Sequence, residues 1–193
     1  MSRAVSPRAV LRLVATLCVI AAAATVWHFL PMPTQVFAPF DVRGSVGQRV
    51  AGRPIEATVH DVRIAPEVTA STSGRKKRIA ATGSWVVVDT TMQATVDPAR
   101  PEAELLLDGN TYRPAERFLL ENLDAGGTLN PGIPERGTWV FDVATNLVDR
   151  PAPFILRLWT GDGRLDSRLV ISIGKHDASR QDVVALTRPR VTA

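Results

Sequence analysis

The chain has 193 residues, 45% of them apolar and 22% charged, which is typical of a globular protein and argues against disorder. Its 23 basic and 19 acidic residues leave a net charge of +4, and the excess lies at the two ends. Residues 1–30 carry three arginines and no acid, whereas residues 31–173 carry 16 basic and 17 acidic residues. Because a nucleic-acid-binding domain concentrates positive charge on its folded part, we expect no nucleic-acid partner.

The first 30 residues read as a membrane helix. Residues 1–12 form a basic, cytoplasmic N-terminus, and residues 13–30 are free of Asp, Glu, Lys and Arg. As a helix these 18 residues would extend about 27 Å, enough to cross the hydrocarbon core of a bilayer. The positive-inside tendency then leaves everything after Leu30 outside the cytoplasmic membrane.

A cleaved signal peptide is the alternative for this segment. Ala21 to Ala24 supply the small residues that signal cleavage requires, and cleavage after Ala24 would release the rest of the chain. The apolar run continues to Leu30, which favours an uncleaved anchor. Leu17 before Cys18 disfavours a lipoprotein signal, and a single cysteine excludes an internal disulfide or a multi-cysteine zinc site.

The rest of the chain has the two-residue apolar period of β-strands. A proline-containing spacer is predicted over residues 31–45, an all-β domain over residues 46–173 and a flexible tail over residues 174–193. Asp108-Gly109 predicts a tight hairpin, because both residues accept positive φ. Short strands between turn residues are typical of an immunoglobulin-like β-sandwich of about seven strands. The alternating apolar positions are Ile55, Ala57 and Val59; Val86, Val88 and Met92; Leu105 and Leu107; Trp139, Phe141 and Val143; Phe154, Leu156 and Leu158; Leu169, Ile171 and Ile173.

Three stretches resemble a family of exported bacterial proteins. They are Gly83-Ser84-Trp85-Val86-Val87-Val88-Asp89, Leu105 to Tyr112, and Leu129-Asn130-Pro131-Gly132 followed by Gly137 to Phe141. That family has a telokin-like, immunoglobulin-like fold and occurs as lipoproteins, anchored proteins and secreted antigens. The resemblance, over about residues 44–173, implies the fold and an exported location, and it implies no catalytic residue.

The densest charge run is Arg75-Lys76-Lys77-Arg78. It follows a stretch of Ser, Thr and Ala, so we expect it at the tip of a flexible loop. Its simplest interpretation is a soluble hairpin tip. The functional hypothesis is contact with anionic headgroups or envelope polymers.

A second candidate surface comes from the strand alternation. If Val88 and Phe141 point into the core, then the opposite face holds Trp85, Val87, Ile155 and Trp159. An exposed apolar patch of this kind usually marks a protein interface or self-association. The alternative is that a loop or the spacer covers it.

No enzyme is predicted. The three histidines are His28, His60 and His176, in the apolar segment, on a strand and in the tail, and no nucleophile motif is present. Glu102 and Glu104 are two residues apart, so they lie on the same face of one strand. Their simplest interpretation is an exposed, solvated edge. We therefore expect no cofactor and no metal, and a non-enzymatic interaction module of the bacterial envelope, anchored in the cytoplasmic membrane or, alternatively, secreted.

Overall fold

A computed structural model describes residues 7–30, 36–72, 75–118 and 120–192. The chain divides into two compact units, residues 1–38 and residues 39–193. The predicted basic N-terminus lies largely outside the described residues, as does part of the predicted spacer.

The first unit contains helix α1, Pro7–Phe29. Val10–Phe29 has a mean hydropathy of 2.1, and none of that stretch is buried. An α-helix rises 1.5 Å per residue, so these 20 residues extend about 30 Å. The helix is therefore long and apolar enough to cross a membrane, a property that signal sequences share.

The second unit is a β-sandwich, which confirms the predicted all-β class. A short helix, α2, is Thr145–Val148, and 3-10 turns lie at Glu116–Phe118, Leu123–Gly126 and Lys175–Asp177. The strands are β1 Phe40–Ser45, β2 Arg49–Ala51, β3 Ile55–Thr72, β4 Arg75–Ala94, β5 Pro101–Leu107, β6 Asn110–Tyr112, β7 Glu135–Val143, β8 Phe154–Thr160, β9 Ser167–Ile173, β10 Ala178–Arg180, β11 Val183–Ala185 and β12 Arg190–Val191.

The smaller sheet has the strand order β1-β9-β8-β5-β6. Strand β1 runs parallel to β9, and the other neighbours are antiparallel. The predicted turn at Asp108-Gly109 is confirmed: it joins β5 to β6, with φ of 50° and 78° at the two residues.

The larger sheet has the order β10-β3-β4-β7-β12, and β2 and β11 also pair with β3. Its centre is the long hairpin of β3 and β4, in which the pairing register shifts at Val59/Asp61 and again at Ala65/Glu67. At the second shift Ala65 pairs with Trp85 while Glu67 pairs with Ala80, so β4 carries the extra residues there.

The far part of this hairpin must curve back over the sheet. The Leu186 N–H donates to the Thr69 carbonyl at 2.8 Å. A Cβ built on Gly137 would lie 3.1 Å from Pro189 Cγ. Val59 and Gly137 both pair with Thr90 of β4, so the two residues lie at the same height in the sheet. Ten residues of flat strand from Val59 to Thr69 would extend about 33 Å. The segment from Leu186 to Pro189 extends at most about 11 Å, which is too short to join Thr69 to Gly137 if the hairpin were flat. The bulges therefore bend the hairpin.

The main core lies between the two sheets. Val88, Phe141 and Leu156 are fully buried there, as the alternation predicts. Burial of this kind contributes roughly 25 cal/mol for each Å² of apolar surface removed from water.

The structure corrects the predicted domain boundaries at both ends. Strand β1 begins at Phe40, inside the predicted spacer 31–45. Residues 174–193 were expected to be a flexible tail, but β10 and β11 pair with β3, and β12 pairs with β7 on the other side of the sheet. The prediction of a flexible tail is wrong, because Val184 and Leu186 are buried and hold the segment against the sheet.

Candidate functional site

The basic run Arg75–Arg78 lies on a paired strand. Arg75, Lys76, Lys77 and Arg78 are the first residues of β4 and pair in register with Thr72, Ser71, Ala70 and Thr69 of β3. The expectation of a flexible loop is therefore wrong for these four residues, since backbone hydrogen bonds hold them in a two-stranded ribbon. All four are exposed.

The charge on this ribbon is mostly uncompensated. Strand alternation places Arg75 and Lys77 on one face and Lys76 and Arg78 on the other. Arg78 is 3.6 Å from Glu67, with its side chain 72% exposed, so that ion pair is weak. Among the described residues no other acid lies within ion-pair distance of the four cations. The ribbon thus presents positive charge in two directions.

Trp85 and Val87 do not form an exposed patch. Both are fully buried, on the outer face of the larger sheet. The Trp85 indole N–H donates to the Ile79 carbonyl at 3.0 Å, which satisfies its polar atom inside the protein. The prediction of an exposed partner surface at Trp85 and Val87 is wrong.

A second hydrophobic core covers these two residues, as the alternative of a covered face predicts. Phe118 packs edge to face on Trp85, with 5.0 Å between ring centroids, and Arg117 stacks over the same ring at 5.3 Å. Val184 and Leu186 of the C-terminal segment close the cluster. The cover comes from the connector that contains Phe118, from the C-terminal segment and from the curved part of the hairpin itself. The first two are remote from Trp85 in sequence.

Ile155 and Trp159 lie elsewhere, on β8 of the smaller sheet. Both are half-buried on its outer face, where Ile155 pairs with Leu106 and Trp159 with Glu102. A Cβ built on Gly163 would come within 2.8 Å of Trp159 Cδ1, so the loop after β8 leans on the indole ring. The structure does not bring the four predicted residues together, and a partner surface remains a prediction for Ile155 and Trp159 alone.

Sequence reasoning missed an arginine-lined cleft of about 260 Å³ between the C-terminal segment and the larger sheet. Arg136 donates two hydrogen bonds to Asp89, at 3.0 and 2.9 Å, and this contact raises the pKa of the Arg136 guanidinium. Arg63 lies 3.2 Å from Asp61, and Arg190 lines the same cleft. Two carboxylates thus balance two of three guanidinium groups. No sequence signal identifies the cleft, because its residues are neighbours only through strand register.

The histidines stay apart. The exposed His60 ring lies 2.8 Å from the Thr91 hydroxyl, and His176 is 3.3 Å from its neighbour Asp177. Glu104 is held by Arg157 at 2.9 Å, an ordinary cross-strand ion pair. Within residues 7–30, 36–72, 75–118 and 120–192, no three His, Cys, Asp or Glu residues are placed to hold a metal ion.

Comparison with known proteins found one solved structure of similar fold. No protein-family model matches the chain, and no curated protein matches it. Among solved structures it is similar to an uncharacterized β-sandwich protein from Clostridium difficile 630, with 14% identity and a TM-score of 0.47 over 69% of this chain and 95% of that one. The β-sandwich assignment rests on the two sheets described above, and membership of the telokin-like family stays a prediction.

Proposed function

We propose that this protein is a membrane-anchored, non-enzymatic interaction module that holds its β-sandwich outside the cytoplasmic membrane of a bacterium. The observation that carries the proposal is α1, whose stretch Val10–Phe29 has a mean hydropathy of 2.1 and none of its residues buried. Exposing such a stretch to water is costly, whereas a bilayer accepts it. The resemblance to exported bacterial proteins supports the same location.

The orientation follows from charge. Arg3, Arg8 and Arg12 precede the apolar stretch, and the first acid after it is Asp41. Positive residues are retained on the cytoplasmic side, so the sandwich lies outside.

Protease treatment of intact cells tests this placement. We expect an external protease to degrade residues 39–193 of the full-length chain in spheroplasts, while a cytoplasmic control protein survives. We also expect alkaline carbonate to leave the intact chain in the membrane fraction. Protection of the sandwich until the cells are lysed would contradict the proposal.

The alternative is a secreted soluble binding protein. The Ala21 to Ala24 run within α1 favours cleavage, because signal peptidases select small residues. Intact mass spectrometry decides between the two: a mature species that begins at Thr25 and is found in the medium establishes the secreted protein.

The interaction surface in this proposal is the basic ribbon Arg75–Arg78, and its partner is an anionic surface of the envelope. Each exposed cation near an anionic membrane contributes about 1 kcal/mol, and salt screens the attraction over roughly 10 Å. Because the β-ladder orders the ribbon, binding does not require a loop to be immobilised.

A charge-matched pair of variants tests the ribbon. The full-length chain is reconstituted in nanodiscs of neutral lipid, so that α1 is already inserted in a bilayer. Binding of the chain to separate vesicles containing phosphatidylglycerol is then measured at low and moderate salt. Changing all four cations to Ser should reduce binding at least about tenfold at low salt. The control changes the exposed residues Arg100, Arg113, Arg164 and Arg188 to Ser and loses the same charge. Equal binding by the two variants would contradict a role for the ribbon.

A further inference from the structure

Three large apolar side chains are exposed at one end of the β-sandwich. Phe40 is 70% exposed, Val96 65% and Leu165 60%. Single exposed apolar residues are common on soluble proteins, but a group of them marks a contact surface.

The three residues lie near one ion pair, between Arg53 and Asp166. The Phe40 N–H donates to the Asp166 carbonyl at 2.9 Å, and Leu165 precedes Asp166 in the chain. Arg53 donates to the Asp166 carboxylate at 3.2 Å, and Val96 lines a cleft with both of them. The Phe40 backbone, Leu165 and Val96 therefore all lie close to Asp166, on three different loops or strand ends.

Leu165 adopts an unfavourable backbone conformation in this group. Its φ is +57°, in the left-handed region, where a residue with a Cβ loses about 1–2 kcal/mol. The same turn contains Gly161 and Gly163, which accept positive φ without that cost. A strained leucine whose side chain points into water indicates that its exposure serves a contact.

The covalent chain leads from this end to α1. Phe40 follows Leu30 by ten residues, which reach at most about 36 Å when fully extended. Within the sandwich, the Asp108–Gly109 turn lies at the other end of β5 from Pro101, roughly 20 Å along the strand.

The charges at this end are balanced. Arg53, Arg100 and Arg164 accompany Asp97, Asp162 and Asp166. With no net charge, attraction to anionic headgroups cannot dominate, and any contact must depend on apolar burial.

We propose that Phe40, Val96 and Leu165 dock this end of the sandwich on the outer surface of the bilayer that holds α1. The inference rests on the membrane anchoring proposed above. Aromatic and aliphatic side chains insert at the level of the headgroups, and each buried CH₂ group contributes about 0.8 kcal/mol. The occupant is the lipid surface itself, and binding of another protein to these residues is an outcome that the test separates.

Lipid quenching on the full-length chain tests the docking. The chain carries Cys18→Ser and one fluorescent label, at Val96→Cys or at Asn110→Cys, and is reconstituted in vesicles with a nitroxide on the lipid headgroups. Asn110 is an exposed residue beside the opposite turn and serves as the control. We expect the label at position 96 to be quenched at least about twofold more than the label at position 110, at low and at high salt.

A second pair of substitutions separates docking from mere tethering. Phe40→Ser and Leu165→Asn remove the neighbouring apolar groups, and Asn tolerates positive φ. Quenching at position 96 should then fall to the level at position 110. Unchanged quenching, or equal quenching at the two positions in the parent chain, would overturn the docking. Binding of a protein would protect position 96 only when that protein is added.

These results are distinguishable from failure of the anchor. If α1 does not insert, the chain will not float with the vesicles and neither label will be quenched. If the chain floats and position 96 behaves like position 110, the anchor stands and only the docking is wrong.

Discussion

The rings of Trp85 and Phe118 meet edge to face, with 5.0 Å between their centroids and an interplanar angle of 78°. Phe118 belongs to the connector between β6 and β7, and Trp85 to the centre of β4. Their contact places a second core on the outer face of the larger sheet, where the sequence allowed either an exposed patch or a covered face. The hairpin β3–β4 thus has buried side chains on both faces.

We expect Trp85→Ala to destabilise the sandwich strongly. The side chain is fully buried, and removing a buried tryptophan costs about 3–5 kcal/mol. Trp159→Ala is the matched control, because that indole is half-buried on the other sheet. Urea unfolding of the full-length chain in detergent micelles measures both, and equal losses of unfolding free energy would mean that the second core contributes little.

Gly83 is expected to tolerate no side chain. A Cβ at this position would lie 2.1 Å from the Val143 carbonyl oxygen, and the Gly83 N–H donates to Asp142 at 3.0 Å. Gly83→Ala must therefore displace β4 from β7, at a cost of about 1–3 kcal/mol. Gly132→Asn is the comparison, since Gly132 has open space around it and a φ of +71° that Asn accepts. Thermal unfolding should separate the two variants, and a Gly83→Ala protein as stable as Gly132→Asn would refute the clash.

Val184→Ala tests the role of the C-terminal segment. Val184 is fully buried against the second core, so losing two methyl groups should cost about 1.5 kcal/mol. Val191→Ala removes the same atoms from a side chain that is 64% exposed and should change little. The unfolding free energies of the two variants decide this, and a flexible segment would make both substitutions silent.

Glu135 gives the sandwich a pH dependence. Burial raises the pKa of its carboxyl group. The folded protein then binds a proton more tightly than the unfolded chain, so this contribution to stability is present at acid pH and is lost as pH rises through the folded pKa. We expect Glu135→Gln to raise the melting temperature relative to wild type at pH 7, and this gain to disappear below about pH 4.

Exposed Glu102 supplies the control for that measurement. Glu102→Gln also loses one negative charge. Its change in melting temperature therefore measures the general effect of changing the net charge, and this is subtracted from the change seen for Glu135→Gln. A pH-independent difference between Glu135→Gln and wild type would show that burial of the carboxylate is unimportant.

The apolar helix and the all-β class were predictable because both are local patterns. A run without charged residues and a two-residue apolar period can each be recognised in a short segment, without knowledge of the rest of the chain. The same holds for the Asp108–Gly109 turn, whose two residues set their own backbone angles. Bulges are different, since the extra residues of β4 before Trp85 break no apolar pattern.

The sequence by itself determined which residues form the main core, because alternation along a strand assigns each side chain to one of two faces. It could not say what covers the second face. Trp85 is buried because Phe118 and Leu186, both remote in sequence, pack in the same cluster as the far part of the hairpin. The pairing of Arg136 with Asp89 depends in the same way on strand register. Such contacts arise from packing between distant segments, and the tertiary structure alone decides them.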